Sequence, residues 1–428
     1  MRLLSSAIMA LCFACGFFQS AVARDIKIGV IYDETGPFAD SGSRYGAIGA
    51  RIAIDMINER GGVEGNRIVP VYVDAQSKVD VAINEVERLV DQDKVDLVYG
   101  LYSSAQCVPI ASKLDAIQKV LWIAGCGSTE VLHNKHLKYV FRTLAYSDTW
   151  GSESCDMVVA TAKTKLGLDP KDVRVAVIYE DDSYGTGMAA ANVKSCSGSG
   201  MQIVMQEGYA SSTTDLSLLV TKLKRAHPDV ILHTGYAPDV TLFLRQAREL
   251  GLKTKVLIGH GGGYSAKALY KNFPDETDHI FNVDLAPAQL LNPAVLQPNV
   301  GDLSKEVLRR AEVALGTKEP DTLVSNGFNP AWVLFTDVLP RAIKTYGGFD
   351  SEAIRKAALD VNLPVGGTVQ GFGVKFAPES DPMAGQNLGA FPVVTQYSGG
   401  EMKVVWPEQL RAIDPVIPLP PQNTFGRQ

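Results

Sequence analysis

The chain has 428 residues, 41 Lys and Arg against 47 Asp and Glu, and a net charge of −6. At 46% hydrophobic and 21% charged it has a globular composition with enough apolar residues for a large core, which excludes disorder and a fibrous architecture. The acidic balance, with no long Lys/Arg run, excludes a nucleic-acid binder, and the length predicts two or three domains.

Residues 1–23 read as a secretory signal peptide. Met1-Arg2 is the positive start, Leu3 to Phe18 is apolar and uncharged, and Ala21-Val22-Ala23 is a small-x-small cleavage site. The apolar run is short for the ~30 Å of hydrocarbon that a membrane anchor must cross. Neither Cys12 nor Cys15 follows a lipoprotein-type triplet, and both leave with the signal peptide. Four cysteines remain, Cys107, Cys126, Cys155 and Cys196, an even number that in an exported chain reads as disulfides.

Strands then alternate with helices. Ile26 to Tyr32 is an apolar strand, followed by a Gly/Pro loop over Asp33 to Ser43. Arg44 to Arg60 has helical periodicity, with Ile48, Ile52, Met56 and Ile57 on one side, and Gly61-Gly62 ends it. Ile68–Val73, Val95–Tyr99 and Val120–Ala124 are the next strands; Val79–Asp91 and Ala105–Gln118 are the helices between them. This spacing predicts βαβ units around a parallel sheet, with helices on both faces.

A second alternation begins after Phe141-Arg142-Thr143. Its helices are Gly151–Leu166, Gly187–Ser197, Leu216–Ala226 and Asp239–Leu250; its strands are Val173–Tyr179, Gln202–Glu207, Val230–Thr234 and Lys255–Ile258. Two long helices follow, Leu303–Leu315 and Pro330–Tyr346, then a Gly-rich strand or hairpin over Val365–Phe376. Asp414 to Gln428 carries four prolines and reads as an irregular strap or a frayed tail.

Several stretches resemble the type I periplasmic binding proteins, and within them the branched-chain amino-acid (Leu/Ile/Val-binding) receptors of ABC importers. They are Ile28-Gly-Val-Ile with Thr35 to Gly42, Ile57 to Gly65, Gly100-Leu-Tyr-Ser-Ser104, Phe141-Arg-Thr143, Tyr184-Gly185 and Phe243 to Gly251, in the family's order. The resemblance implies an α/β fold of two doubly wound parallel-sheet lobes joined by three hinge crossovers, with ligand in the cleft between them. It assigns 24–143 and about 284–350 to the first lobe, 144–283 and about 351–412 to the second, and 413–428 to a Pro-rich tail. Open α/β sheets offer such clefts at the C-terminal ends of their strands.

The same resemblance implies ligand residues. Ser104 matches the hydroxyl that meets a ligand carboxylate, with Ser103 and Tyr102 beside it at a helix N-terminus, where free amides and the dipole favour an anion. Gly127 and Ser128 fall where a backbone carbonyl and a hydroxyl reach the ligand. Tyr184 and Tyr236 match cleft tyrosines of the second lobe; Tyr102 and Tyr146 are weaker candidates. At the family's ammonium-binding Glu this chain has Gly261. A buried ammonium without a partner costs several kcal/mol, so either another acid substitutes, Asp182 or Asp239 being near candidate loops, or the ligand is a carboxylate without an amine.

Enzymatic motifs are weak. His260-Gly-Gly-Gly263 is similar to an esterase oxyanion loop, but no Gly-x-Ser-x-Gly elbow follows. His133-x-x-His136 lacks the further ligands of a zinc site and reads as a solvated helix face. There is no Gly-Lys dipeptide and hence no phosphate loop, so ATP hydrolysis belongs to a partner. The expectation is a non-enzymatic periplasmic receptor without metal or cofactor. It binds a small amino acid or carboxylic acid and delivers it to a membrane permease with its ATPase subunits; the alternative is a periplasmic nutrient sensor of the same fold.

The cysteines are expected to pair 107–126 and 155–196. Cys107 opens the helix after one strand and Cys126 follows the next, so both belong at one sheet edge beside Ser104 and Ser128. Cys155 and Cys196 lie on the two helices flanking Val173–Tyr179. The other two pairings would staple one lobe to the other.

Overall fold

A computed structural model of the chain describes residues 24–286, 290–318, 321 and 323–426. The expected signal peptide lies outside the described residues. Among the described residues, no helix is long and apolar enough to cross a membrane.

The first sheet has five parallel strands in the order β2-β1-β3-β4-β5, formed by β1 Ile26–Tyr32, β2 Ile68–Asp74, β3 Leu97–Gly100, β4 Leu121–Ile123 and β5 Val140–Arg142. All of β1 except Lys27 is buried, as a strand covered by helices on both faces must be. Helices α1 Arg44–Glu59, α2 Val79–Asp91 and α3 Ser104–Ala116 make the crossovers. The second sheet has the order β12-β11-β10-β9-β8-β6-β7. Its parallel part is β6 Arg174–Glu180, β7 Gln202–Tyr209, β8 Val230–Thr234, β9 Val256–His260 and β10 Phe281–Asp284. An antiparallel edge follows, β11 Val393–Ser398 and β12 Glu401–Trp406. Helices α4 Ser147–Thr161, α5 Ser183–Gly198, α6 Ser217–Ala226 and α7 Ala237–Glu249 belong to this lobe.

The chain crosses between the lobes three times. The first crossing, after Arg142, and the third, near Gln386, run side by side: the Arg142 N–H donates to the Gly385 carbonyl (2.9 Å) and the Asn387 N–H to the Arg142 carbonyl (2.9 Å). Asn387 Nδ2 also donates to the Thr143 carbonyl at 2.8 Å. The second crossing leaves the end of β10 for the helix Val300–Leu315.

Two regions differ from the sequence reading, and a third, the C-terminal segment, takes the strap form of the two expected for it. Helix Ser351–Leu359 buries Ile354, Ala357 and Ala358 in the first lobe's core, together with Val369, Val374 and Phe376, so the return to the second lobe comes after Phe376 and not near residue 351. Periodicity defines a helix's apolar face but not which core covers it. The Val365–Phe376 stretch forms no strand; its pairing is limited to bridges such as Leu363 with Val374. The C-terminal segment is a strap on the second lobe. Leu419 and Phe425 enter its core, and the buried Asn423 side chain donates to the carbonyls of Glu276 (3.0 Å) and Asp278 (2.6 Å).

The disulfides are Cys107–Cys126 and Cys155–Cys196, with Cα atoms 6.3 and 5.1 Å apart. Each closes within one lobe, so neither restrains the lobes against one another. Replacing Cys155 and Cys196 together by serine is expected to cost about 2–4 kcal/mol of stability in urea unfolding. Non-reducing peptide mapping of the native protein should return these two pairs and no bond between the lobes.

Candidate functional site

A cavity of some 580 Å³, counting the part open to solvent, lies between the lobes and is lined by both. It sits past the C-terminal ends of β1, β3 and β4 on one side and of β8, β9 and β10 on the other, where the strands of two open sheets face each other.

The first lobe contributes the front of α3. The Gln106 and Cys107 amides both close on the Ser103 carbonyl (3.1 Å each), so the amides ahead of them have no partner within the helix. Ser104 lines the cavity; its Oγ accepts the Ser128 N–H at 3.1 Å, which leaves its own proton to donate. Tyr102 lines the cavity and donates its hydroxyl to the Ser41 carbonyl at 2.5 Å. Ser103 is buried and is not part of the lining; it stands beside the Tyr236 hydroxyl.

Opposite Ser104 the loop Gly125–Ser128 forms the wall, but differently from the sequence expectation. Gly125 and Gly127 line the cavity, whereas Ser128 does not; its Oγ accepts the Glu130 N–H (3.2 Å) and caps a short helical turn. The Gly127 carbonyl is taken by the N–H (2.9 Å) and hydroxyl (3.2 Å) of Ser147 at the start of α4. Arg142 holds this loop from behind. Its fully buried guanidinium donates through Nη1 to the carbonyls of Cys126 (3.0 Å) and Ser128 (2.6 Å), and through Nε to Gln386 Oε1 (2.7 Å). Burial pulls its pKa down to about 9, so it stays charged at neutral pH.

The second lobe supplies aromatic rings. Tyr184, Tyr236 and Trp150 line the cavity, with Tyr184 and Tyr236 ring centroids 5.6 Å apart and Trp150 set edge-on to Tyr184 at 6.4 Å. Tyr184 is in the first turn of α5, and its hydroxyl donates to the His260 carbonyl at 2.8 Å. Tyr236 precedes α7, and its N–H is fixed by Asp239 Oδ1 at 2.9 Å. Sequence reasoning did not single out Trp150. Its indole N–H is buried and finds no hydrogen-bond partner among the described residues.

His260 is a structural residue. Its ring is buried, with Nε2 2.8 Å from Ser154 Oγ and Nδ1 3.0 Å from Thr234 Oγ1, and burial pushes its pKa down to about 4, so it is neutral. Gly261 follows at the cavity wall.

Of the two acids expected to stand in for the missing Glu, neither lines the cavity. Asp182 is exposed at the start of α5. Asp239 is buried, but both its oxygens are engaged, one by Tyr236 and one by the Tyr209 hydroxyl at 2.6 Å. The carboxylate on the cavity wall is Asp284, at the end of β10. Among the described residues no Lys or Arg side chain is part of the lining. Asp284 went unnoticed because β10 is only four residues long; an acid ending an apolar strand after the Gly-rich loop was the available signal.

The lobes already touch across the cleft. Ser41 Oγ accepts the Ala237 N–H at the front of α7 (2.9 Å), and Phe38 packs on Tyr236 with centroids 4.5 Å apart. The Lys267 N–H reaches the Asp321 carboxylate at 3.2 Å.

A sequence model of the periplasmic binding protein family matches residues 25–383. Leu/Ile/Val-binding protein homolog 8 of Brucella abortus is 30% identical over 408 residues, 95% of this chain and 96% of that protein. Homolog 7 of the same organism is 31% identical over 387 residues, 90% of this chain and 92% of that protein. Among solved structures, a leucine-binding protein of Thermotoga maritima superposes with a TM-score of 0.72 at 23% identity, covering 89% of this chain and 97% of that one. A branched-chain amino acid transporter substrate-binding protein of Streptococcus pneumoniae, in complex with isoleucine, gives 0.71 at 21%, covering 90% and 100%. Both structures share the fold.

The wall geometry yields a stability test. A Cβ on Gly127 would stand 2.4 Å from the Trp150 ring, so Gly127→Ala must displace the indole. The expected cost is about 1–3 kcal/mol in urea unfolding, with a change in tryptophan fluorescence of the folded protein.

Proposed function

This chain belongs to the periplasmic binding protein family, in the group of the Leu/Ile/Val-binding proteins, and we propose that it is the soluble receptor of an ABC importer for an amino acid or a related small carboxylic acid. The family consists of solute-binding proteins, not enzymes. The observation that carries the ligand class is the front of α3. There Ser104 and unpaired helix amides face a cavity shared by both lobes. A carboxylate placed there gains charge-assisted hydrogen bonds and the favourable end of the helix dipole. The opposite wall of Tyr184, Tyr236 and Trp150 gives an apolar surface for a side chain and contacts from the second lobe.

A ligand touching both walls favours the closed arrangement by its differential contacts. Closure then presents a new surface to a permease, whose ATPase subunits supply the energy. Export to the periplasm follows from removal of residues 1–23.

The ligand is found by a thermal-shift screen of the amino acids and of aliphatic and aromatic acids. A ligand at 100 times its Kd adds about 2.7 kcal/mol of stability. Ser104→Ala should then weaken that ligand roughly 10- to 100-fold in calorimetry, with the fold intact by circular dichroism. Unchanged affinity removes Ser104 from the site. Small-angle scattering should show a smaller radius of gyration on ligand saturation; no change counts against closure on the ligand.

A further inference from the structure

The resemblance places an ammonium-binding acid at Gly261, and the backbone there is one that disfavours a side chain. Gly261 has φ 43° and ψ −144°, a conformation costly for any residue with a Cβ. The neighbouring strand supplies an acid instead. β9 and β10 run parallel with His260 opposite Val283, and the Gly261 N–H donates to the Val283 carbonyl at 2.8 Å. One step further along each strand, Gly261 and Asp284 are therefore side by side. A Cβ on Gly261 would lie 3.8 Å from the Asp284 carboxyl carbon and 3.1 Å from the Tyr184 hydroxyl.

Asp284 is held in place for a ligand. Ser265 donates its hydroxyl to Oδ2 and receives Asn282 Nδ2 at 2.8 Å, while the Leu285 N–H donates to Oδ1 at 2.7 Å. One hydrogen bond to each oxygen leaves acceptor capacity on both. The carboxylate is nine-tenths buried and has no basic side chain against it in the cavity lining. An isolated buried carboxylate is costly, and a ligand cation relieves that cost.

We propose that Asp284 receives the ammonium group of the ligand, in place of an acid at Gly261, and so makes this receptor selective for amino acids over their des-amino counterparts. The assignment rests on the carboxylate-receptor reading above. Ser104 and the front of α3 take one charge of the zwitterion, and Asp284, across the cavity on the other lobe, takes the other. The lobes are then bridged by the ligand's two charged groups.

The proposal carries a pH signature. Burial raises the Asp284 pKa to about 6, with Asp321 adding repulsion and the bonds from Ser265 and Leu285 opposing it. An ammonium group needs the ionised carboxylate, so amino-acid affinity falls as pH drops through about 6. The titratable or charged groups around Asp284 are Asp321 before the helix Val324–Val333, with Lys267 beside it, Tyr102 before α3 and Tyr184 on α5. Glu180 and Asp239, behind Tyr184 and Tyr236, titrate near pH 7 and 6. The informative quantity is therefore the difference between two ligands that differ only in the amine.

The experiment is isothermal calorimetry on the mature protein with leucine against 4-methylpentanoate and phenylalanine against 3-phenylpropanoate, at pH 7.5 and pH 5. The expected wild-type result is an amine preference of roughly 10-fold or more at pH 7.5 that shrinks at pH 5. Asp284→Asn, which keeps the shape and the acceptor for Leu285, should lose that preference, the amino acid being weakened relative to its des-amino counterpart. Ser104→Ala should weaken both members of a pair alike. Equal or tighter binding of the des-amino acid by the wild type overturns the assignment alone, as does an Asp284→Asn protein that keeps the preference. Failure of both members of both pairs to bind overturns the assignment and the carboxylate reading together. Should Asp284→Asn not fold, the wild-type preference and its loss at pH 5 decide.

Discussion

The buried guanidinium of Arg142 joins the cavity-wall loop to the crossing point of the lobes. Among the described residues none of its hydrogen bonds goes to an acid: Nη1 donates to two carbonyls of the loop that carries Cys126 and Ser128 and Nε to Gln386 on the third crossing, while Nη2 has no partner. Losing any of these bonds is costly, because a buried charge without partners costs several kcal/mol. Position and charge state are thereby coupled: the loop cannot move without stranding Arg142, and the crossing cannot move without stranding Gln386. Gln386 in turn donates to the Leu144 carbonyl, so the first and third crossings are bound to one another through side chains as well as backbone.

The rest of the first lobe's wall follows from that anchor. With Cys126 held by Arg142 and by the disulfide to Cys107 on α3, the loop stands at a fixed distance from the helix front. The Ser128 N–H can then meet Ser104 Oγ and orient its proton toward the cavity. A preorganised hydroxyl loses little entropy on binding, which is what a receptor of small ligands requires. The second lobe uses a different device. The buried set of Asp239, Tyr209 and His233 fixes the start of α7 and with it Tyr236. Its histidine is neutral, burial having lowered its pKa to about 3, and so adds no charge to the cleft.

Contacts made by the protein alone already span the cleft. Ser41 with Ala237, Phe38 with Tyr236 and Lys267 with Asp321 hold the two lobes together across it. If a ligand closes the lobes as proposed, these contacts reduce the differential contact energy it must provide. Neither disulfide opposes that motion, because each bond closes within its own lobe.

Local pattern determined much of this protein by itself. The buried run of β1, the period of α2 and the apolar stretch of β8 lie at the residues read from the sequence, because each is dictated by its own side chains. The cleft-facing places of Ser104, Tyr102, Tyr184, Tyr236 and Gly261 were legible as motif positions, and the disulfides as pairs at shared edges. Other features depended on partners far along the chain. Val365–Phe376 has strand-forming residues but no adjacent ladder, and Ser351–Leu359 has an apolar face whose covering core is chosen by packing. β11 and β12 exist because β10 offers them an edge. The absence of an acid at Gly261 was visible in the sequence, but the acid beside it was not. Asp284 is 23 residues away along the chain and becomes its neighbour only through the register of β9 on β10, because hydrogen bonding between strands, not sequence distance, sets which side chains share a wall.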